Sequence, residues 1–292
     1  EDAVFIACLL QEQGMPVRLV QTNSGNFYLG DLDEIRYFNR ALDLSQDTHL
    51  IDDERWETAK RCLKREFGHA QSWEICRNII LNFEQVYSRK YHSDWTNYLF
   101  ESKLEDFYPV QGEAIVVSTI HKAKGKEFDN VFLLLTNIES LSDEKKREVY
   151  VAITRAKQNL SIHTNGHYLS NIANGLAEYR INSNTYPAPQ SLCYTLTHRD
   201  LWLDFFIDSH CQAAINTLKS GMSLRLTEKG CTDFSNNEIL RFSKKFKDIL
   251  NELIQKDYKL EKASVNFVVY WEKQEDKKEA KIVLPKVVFK KV

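Results

Sequence analysis

Val117 to Leu135 reads V-S-T-I-H-K-A-K-G-K-E-F-D-N-V-F-L-L-L, and the pattern of this stretch decides how the chain is built. One β-type run, Ala114 to Thr119, ends in a polar loop. A second, Val131 to Leu135, is continuously apolar, as suits a buried parallel strand. The first strand delivers Thr119 and His121 to the loop, and Gly125 lets the loop backbone approach a ligand. Further on, Arg147 to Lys157 reads R-E-V-Y-V-A-I-T-R-A-K. The spacing predicts a helix from Ser142 to Lys157, with Ser142 as N-cap, Asp143 and Glu144 in the first turn, and Val149, Ala152, Ile153 and Ala156 as its buried stripe. Thr154 and Arg155 point away from that stripe. Leu160 to His163 reads as the next strand. Strands alternating with helices predict an α/β domain with a largely parallel sheet.

Toward the N-terminus, Ile6, Leu9 and Leu10 share helical spacing, and Gly14 with Pro16 ends that helix. Val17 to Gln21 reads as a strand. Asp31 to Leu42 reads as a helix with Asp31 as N-cap, Glu34 three residues on, and Leu32, Ile35 and Phe38 on one face. Ser45 to Tyr108 changes character: it shows helical stripes (Trp56, Leu63, Phe67; Ile79, Phe83, Val86, Tyr87) and no strand pattern, so it reads as an all-helical insertion. Toward the C-terminus, Arg180 to Ser191 has the Asn, Ser and Pro content of a linker. Beyond it, Leu201 to Leu218 reads as helical, Ser223 to Leu226 as a strand, and Ile239, Phe242, Phe246, Ile249 and Leu253 as one helix face. Val265, Phe267, Val269 and Trp271 alternate cleanly; the charged turn Glu272 to Glu279 and the run Ile282 to Leu284 complete a hairpin. The expected division is therefore an α/β domain over 1–180, with a helical insertion at about 45–108, and a small α+β domain over 191–292.

The chain has 292 residues, 43% hydrophobic and 27% charged, which is the composition of a soluble globular protein with room for two compact units. No apolar run approaches the roughly 18 to 20 residues of a membrane span. Glu1 runs straight into an apolar segment without an initiator Met, which reads as a piece of something longer. The six cysteines lie far apart, with no C-x-x-C pair, and read as reduced intracellular thiols. His163 and His167 are separated by Asn165-Gly166, which breaks a helix, so no metal site is read there. The net charge of −2 is uneven: Arg241 to Val292 holds 14 Lys/Arg against 8 Asp/Glu, a net of +6. Such a basic piece suits nucleic acid, and it also suits an ordinary solvated surface.

The two stretches first quoted, in that order, resemble motifs V and VI of the UvrD/Rep group of superfamily 1 helicases, whose pattern is close to T-I-H-x-x-K-G-L-E-F and Y-V-A-x-T-R-A. The resemblance covers roughly residues 1 to 175. It implies a RecA-like P-loop NTPase-type fold, the second motor domain (2A), and an ATP-dependent DNA helicase moving 3′ to 5′ on single-stranded DNA. It also implies that Arg155 is the catalytic arginine finger to the γ-phosphate, and that Gly125 and Glu127 lie near the nucleotide, Glu127 on the ribose. Thr119, His121 and Lys124 would contact the single strand. Lys126 departs from the family, which usually carries Leu there. Asp31 to Arg36 resembles the segment after motif IV, where Glu34 and Arg36 would help bind ATP. The insertion occupies the place of the relatives' larger 2B subdomain.

No G-x-x-x-x-G-K-[ST] loop occurs, so the resemblance implies that ATP and Mg²⁺ are bound mainly by an upstream ATP-binding domain of the same polypeptide, and that these residues alone are inactive. The implied partners are single-stranded DNA and single/double-strand junctions, in a cytoplasmic, nucleoid-associated setting of repair or replication. The other reading is a non-motor scaffold that only binds nucleic acid or a partner. In the C-terminal part, Arg241, Lys244, Lys245 and Lys247 are candidates for DNA; equally, Lys244 and Lys247 are the solvated face opposite Phe242 and Phe246. Asp257-Tyr258-Lys259 is similar to the D-Y-K of fused nucleases, yet the companion carboxylate motifs are missing, so no nuclease is read.

Overall fold

The computed structural model describes residues 2–20, 28–43, 49–109, 114–135, 142–165, 182–207 and 210–292. Gln21, Ser45, His167 and Arg180, which figure in the readings above, lie outside them. In chain order the elements are α1 (Asp2–Glu12), β1 (Val17–Val20), α2 (Asp33–Leu42), α3 (Asp53–Phe67), α4 (Trp73–Val86), α5 (His92–Glu101), β2 (Ile115–Ser118), β3 (Phe128–Leu135), α6 (Asp143–Ile153), β4 (Ala156–Thr164), β5 (Ser191–Thr195), α7 (Asp204–Ile207), α8 (Cys211–Ile215), β6 (Ser223–Leu226), β7 (Gly230–Thr232), β8 (Glu238–Arg241), α9 (Lys244–Gln255), β9 (Tyr258–Glu272) and β10 (Glu279–Lys291). The fold is mixed α/β. Among the described residues no helix is long and apolar enough to cross a membrane.

The chain folds into two compact units, residues 1–22 with 115–188, and residues 23–114 with 189–292. In the first, β1 pairs parallel with β2, and α1 packs on both. β3 pairs parallel with β4, and α6 makes the crossover between them. Leu133 and Leu135 of β3 meet Val149 and Ala152 of α6 in a buried cluster, with Ile120, Ile153 and Ile162 against it. Phe132 and Leu134, on the other face of β3, are exposed, so among the described residues this strand is covered on one side and not on both.

In the second unit a six-stranded sheet has the order β5-β10-β9-β6-β7-β8. Its centre is the long hairpin β9–β10, whose turn falls within the charged stretch the sequence predicted. Phe267, Val268 and Val269, and Ile282, Val283 and Leu284, are all buried, so the middle of the hairpin is covered on both faces. The stretch read as helical is helical: α3, α4 and α5 bury Trp56, Leu63, Phe67, Ile79, Phe83 and Trp95. Phe38, Trp56, Phe83 and Trp95 form one ring cluster with centroids 4.9 to 5.6 Å apart. Edge-to-face pairs of this kind contribute about 0.5 to 1.5 kcal/mol each beyond area burial. The indole N–H groups are satisfied, Trp56 donating to Glu84 at 2.6 Å and Trp95 to Asn39 at 2.8 Å.

The helical stretch shares this unit with the C-terminal part, where the sequence reading had placed it with the α/β domain. The Gln71 N–H donates to the Ser220 carbonyl at 3.0 Å, Lys219 pairs with Glu66 at 2.7 Å, and Leu32 bridges to Val269 of β9. Helix α2 lies against β9, and its buried Asp33 meets Lys281 of β10 at 2.8 Å. The physical reason is that α2 carries acidic groups on its buried side as well as Ile35 and Phe38, and the lysine of β10 compensates that charge.

Local boundaries differ too. Asp31 is not the N-cap of α2: it ends a 3-10 turn, Leu29–Asp31, where its carboxylate accepts the Tyr28 N–H, and Leu32 precedes the helix. Helix α6 stops at Ile153, so Ala156 and Lys157 open β4 and are not helical. Val86 is exposed at the end of α4. Leu201 to Leu218 contains two short helices, and Ile239 lies in β8, because Ser243 caps α9 by accepting the Phe246 N–H.

Candidate functional site

The first unit carries both stretches from which the reading began. Strand β2 ends at Ser118, and Thr119 then opens a 3-10 turn, Ile120–Ala123, its carbonyl accepting the N–H groups of Lys122 and Ala123. Ile120 faces the α6–β3 cluster, which anchors the turn from below. Thr119, His121, Lys124, Lys126 and Glu127 are exposed above it. Gly125 has φ +82, a left-handed conformation that disfavours other residues, and a Cβ there would meet nothing within 4 Å. The glycine is thus required by the turn, and the space beside it is open.

Arg155 follows α6 in the turn to β4. Its backbone carbonyl accepts the Phe128 N–H at 2.9 Å, which fixes the start of β3 against the end of α6. Its guanidinium folds back: Nε donates to the Val151 carbonyl at 2.9 Å, Nη1 to the Lys126 carbonyl at 3.3 Å, and Nη2 to Thr154 Oγ1 at 3.1 Å. A guanidinium has five N–H donors; among the described residues these three bonds leave two for an oxyanion. The arginine of the second stretch therefore sits directly on the loop of the first, although 29 residues separate it from Lys126.

Around this pair the charges are loosely held. Glu127 lies 3.7 Å from Lys157 with both side chains more than half exposed, so water screens the contact. His121 Nε2 is 3.6 Å from Glu148, which Lys145 also contacts at 2.7 Å. The Lys145 ammonium holds the Glu148 carboxyl below the usual range. Lysines 122, 124 and 126 alternate along the loop, giving it a positive rim.

Residues 75–167 match the UvrD-like helicase C-terminal domain. This stretch is similar to the C-terminal part of UvrD/Rep-like helicases. The match runs from α4 to just beyond β4, so it contains the whole loop and Arg155. A search of the curated proteins found no match.

The site residues of the sequence reading fall in both units. The structure brings together Thr119, His121, Lys124, Gly125, Glu127 and Arg155, all in the first unit. Glu34 and Arg36 belong to the second. Glu34 is 1% exposed and accepts the Ser72 hydroxyl at 2.5 Å, and burial raises its carboxyl above the ordinary value, so it is an interior acid. Arg36 donates to Glu279 at 2.9 Å and lies over the Tyr270 ring, which turns it toward the C-terminal sheet. Lys244 and Lys245 also lie in the second unit, at the start of α9.

The reading missed the Lys126 carbonyl, which accepts from Arg155, and Glu148, which faces His121. A backbone acceptor leaves no trace in residue type. Glu148 carried a faint signal, since with Lys145 it forms an i, i+3 pair on the helix that bears Arg155.

Proposed function

We propose that this chain supplies the second, RecA-like motor domain of an ATP-dependent helicase that moves 3′ to 5′ on single-stranded DNA and unwinds duplex ahead of it. The observation that carries the reading is the bond from Arg155 to the Lys126 carbonyl, which makes one site of the two helicase stretches. Arg155 would place its fixed positive charge beside the phosphoryl group being transferred; such fingers are worth about 10³ to 10⁵ in rate. The positive rim of the loop, with Thr119, His121 and Lys124, would hold the strand, and the left-handed turn at Gly125 would admit the nucleotide beside Glu127. Hydrolysis needs groups outside this chain: ATP and Mg²⁺ would be held mainly by an upstream ATP-binding domain of the same polypeptide. Closure of that domain on Arg155 would couple each turnover to a step along the strand.

The test is DNA-stimulated ATPase of the full-length polypeptide, wild type beside Arg155→Ala and Arg155→Lys. Turnover falls by about a thousandfold in the alanine variant, and lysine rescues little because it lacks the planar fork. Binding of single-stranded DNA persists in both. Equal turnover in all three proteins sinks the assignment.

A further inference from the structure

Within the second unit, the C-terminal part gathers basic and aromatic residues from three segments that are distant in sequence. The Trp202 N–H donates to the Arg241 carbonyl at 2.9 Å, the Phe242 N–H to the Lys229 carbonyl at 2.9 Å, and the Ser243 N–H to the Asp200 carbonyl at 2.9 Å. Ser243 Oγ donates to the Arg199 carbonyl at 2.9 Å. These bonds draw together the backbone of residues 199–202, Lys229 and residues 241–243, at the start of α9 with its Lys244 and Lys245. Arg199, Lys229, Lys244 and Lys245 are exposed, and Trp202 is 47% exposed, a large value for an indole.

Two neighbouring carboxylates pair within the group itself. Glu238 takes Arg241 in a two-point pair at 2.6 and 2.7 Å. Asp200 accepts both the Thr197 N–H and its hydroxyl, and lies 3.9 Å from Lys245. Glu228 is the exposed acid on the same turn as Lys229. Arg241 is stacked between Trp202 at 5.4 Å and Phe205 at 5.0 Å, so the guanidinium braces the indole from one side. The lysines are not explained by helix stability. They occupy the first turn of α9, where the helix dipole disfavours cations, and that turn holds no acidic residue.

We infer that this surface binds single-stranded nucleic acid, the lysines and Arg199 taking phosphates and Trp202 stacking on a base. Basic groups around an exposed, braced aromatic ring fit a strand with unstacked bases; duplex would offer phosphates and leave the ring unused. The inference deepens the helicase reading by naming a second place where the strand is held, and it stands on the C-terminal residues alone.

The experiment is fluorescence anisotropy of the folded 292-residue chain with a labelled oligothymidine of about 16 nucleotides, in a salt series and without ATP. Lys244→Gln with Lys245→Gln lowers the slope of log affinity against log salt by about 0.7 for each lysine. Trp202→Ala weakens binding about tenfold or more with the slope kept, and Trp202→Phe restores most of it. Thermal melts of the variants match wild type, which separates lost contacts from lost folding. Unchanged affinity and slope in these variants overturns the inference. So does displacement of the oligonucleotide by polyglutamate at equal charge with no effect of Trp202→Ala, which would mark the surface as a dock for acidic protein. Because no ATP is present, failure here is distinct from failure of the Arg155 assignment, which the ATPase reads.

Discussion

Glu34 sits in the interior beside Asp33, and the two acids are treated differently by their surroundings. Asp33 has the Lys281 ammonium at 2.8 Å, while Glu34 accepts the Ser72 hydroxyl on one oxygen, and among the described residues its other oxygen has no hydrogen-bond partner. Desolvation, with the neighbouring Asp33 charge adding to it, raises the Glu34 carboxyl above its ordinary value. A carboxyl whose folded pKa is raised contributes its stability in full below the unfolded value. That contribution is lost as pH rises through the folded value, because the unfolded chain ionises first. Glu34→Gln does not titrate. Urea midpoints at pH 4 and at pH 7 will therefore show wild type losing ground to the glutamine variant at the higher pH. A gap that stays constant, or moves in favour of wild type, would mean that the native fold does not favour the neutral acid.

Among the elements, α3, α4 and α5 show how a helical stretch becomes specific. Their stripes are ordinary amphipathic patterns, and the α3 N-cap is local chemistry, Asp52 accepting the Arg55 N–H at 2.8 Å. What fixes their mutual packing is Trp56, fully buried among Phe38, Phe83 and Trp95 and tied by its N–H to Glu84. Trp56→Ala removes the ring and leaves Glu84 without that donor. The loss is about 3 to 5 kcal/mol, read as a lower urea midpoint together with a weakened near-ultraviolet dichroism of the aromatic cluster. A change under about 1 kcal/mol would show that the cluster repacks freely. The α6–β4 junction teaches the opposite lesson. The apolar stripe runs on smoothly to Ala156, but the backbone leaves the helix after Ile153, and that early exit places Arg155 on the loop. Periodicity carries no mark of the exit, since the stop is set by the Phe128 N–H bonding to the Arg155 carbonyl.

At the scale of the whole molecule, residues 23–114 and 189–292 are one unit, joined through the bridge from Leu32 to Val269, the Asp33–Lys281 pair and the contact of Gln71 with Ser220. Ser220 also donates its hydroxyl to the Asn266 carbonyl, so the contact reaches strand β9. Removing residues 189–292 should therefore unfold the α2–α5 helices as well. In a truncated protein their far-ultraviolet helical signal melts at a lower temperature and with lost cooperativity, whereas a retained sharp transition would show that the helices fold alone. The helical stretch and the C-terminal sheet, though distant in sequence, therefore belong to one cooperative unit.

Sequence by itself determined what is local. The strands flanking the Thr119 loop, the helical character of residues 53–101 and the hairpin about its charged turn are all written in residue spacing, because period, caps and turn residues act over a few positions. Tertiary structure alone decided which segments share a core and which acids are interior. Arg36 and Glu279 meet across 243 residues, and no periodic pattern spans such a distance. Their pairing rests on shape and charge complementarity between surfaces that exist only once each has folded.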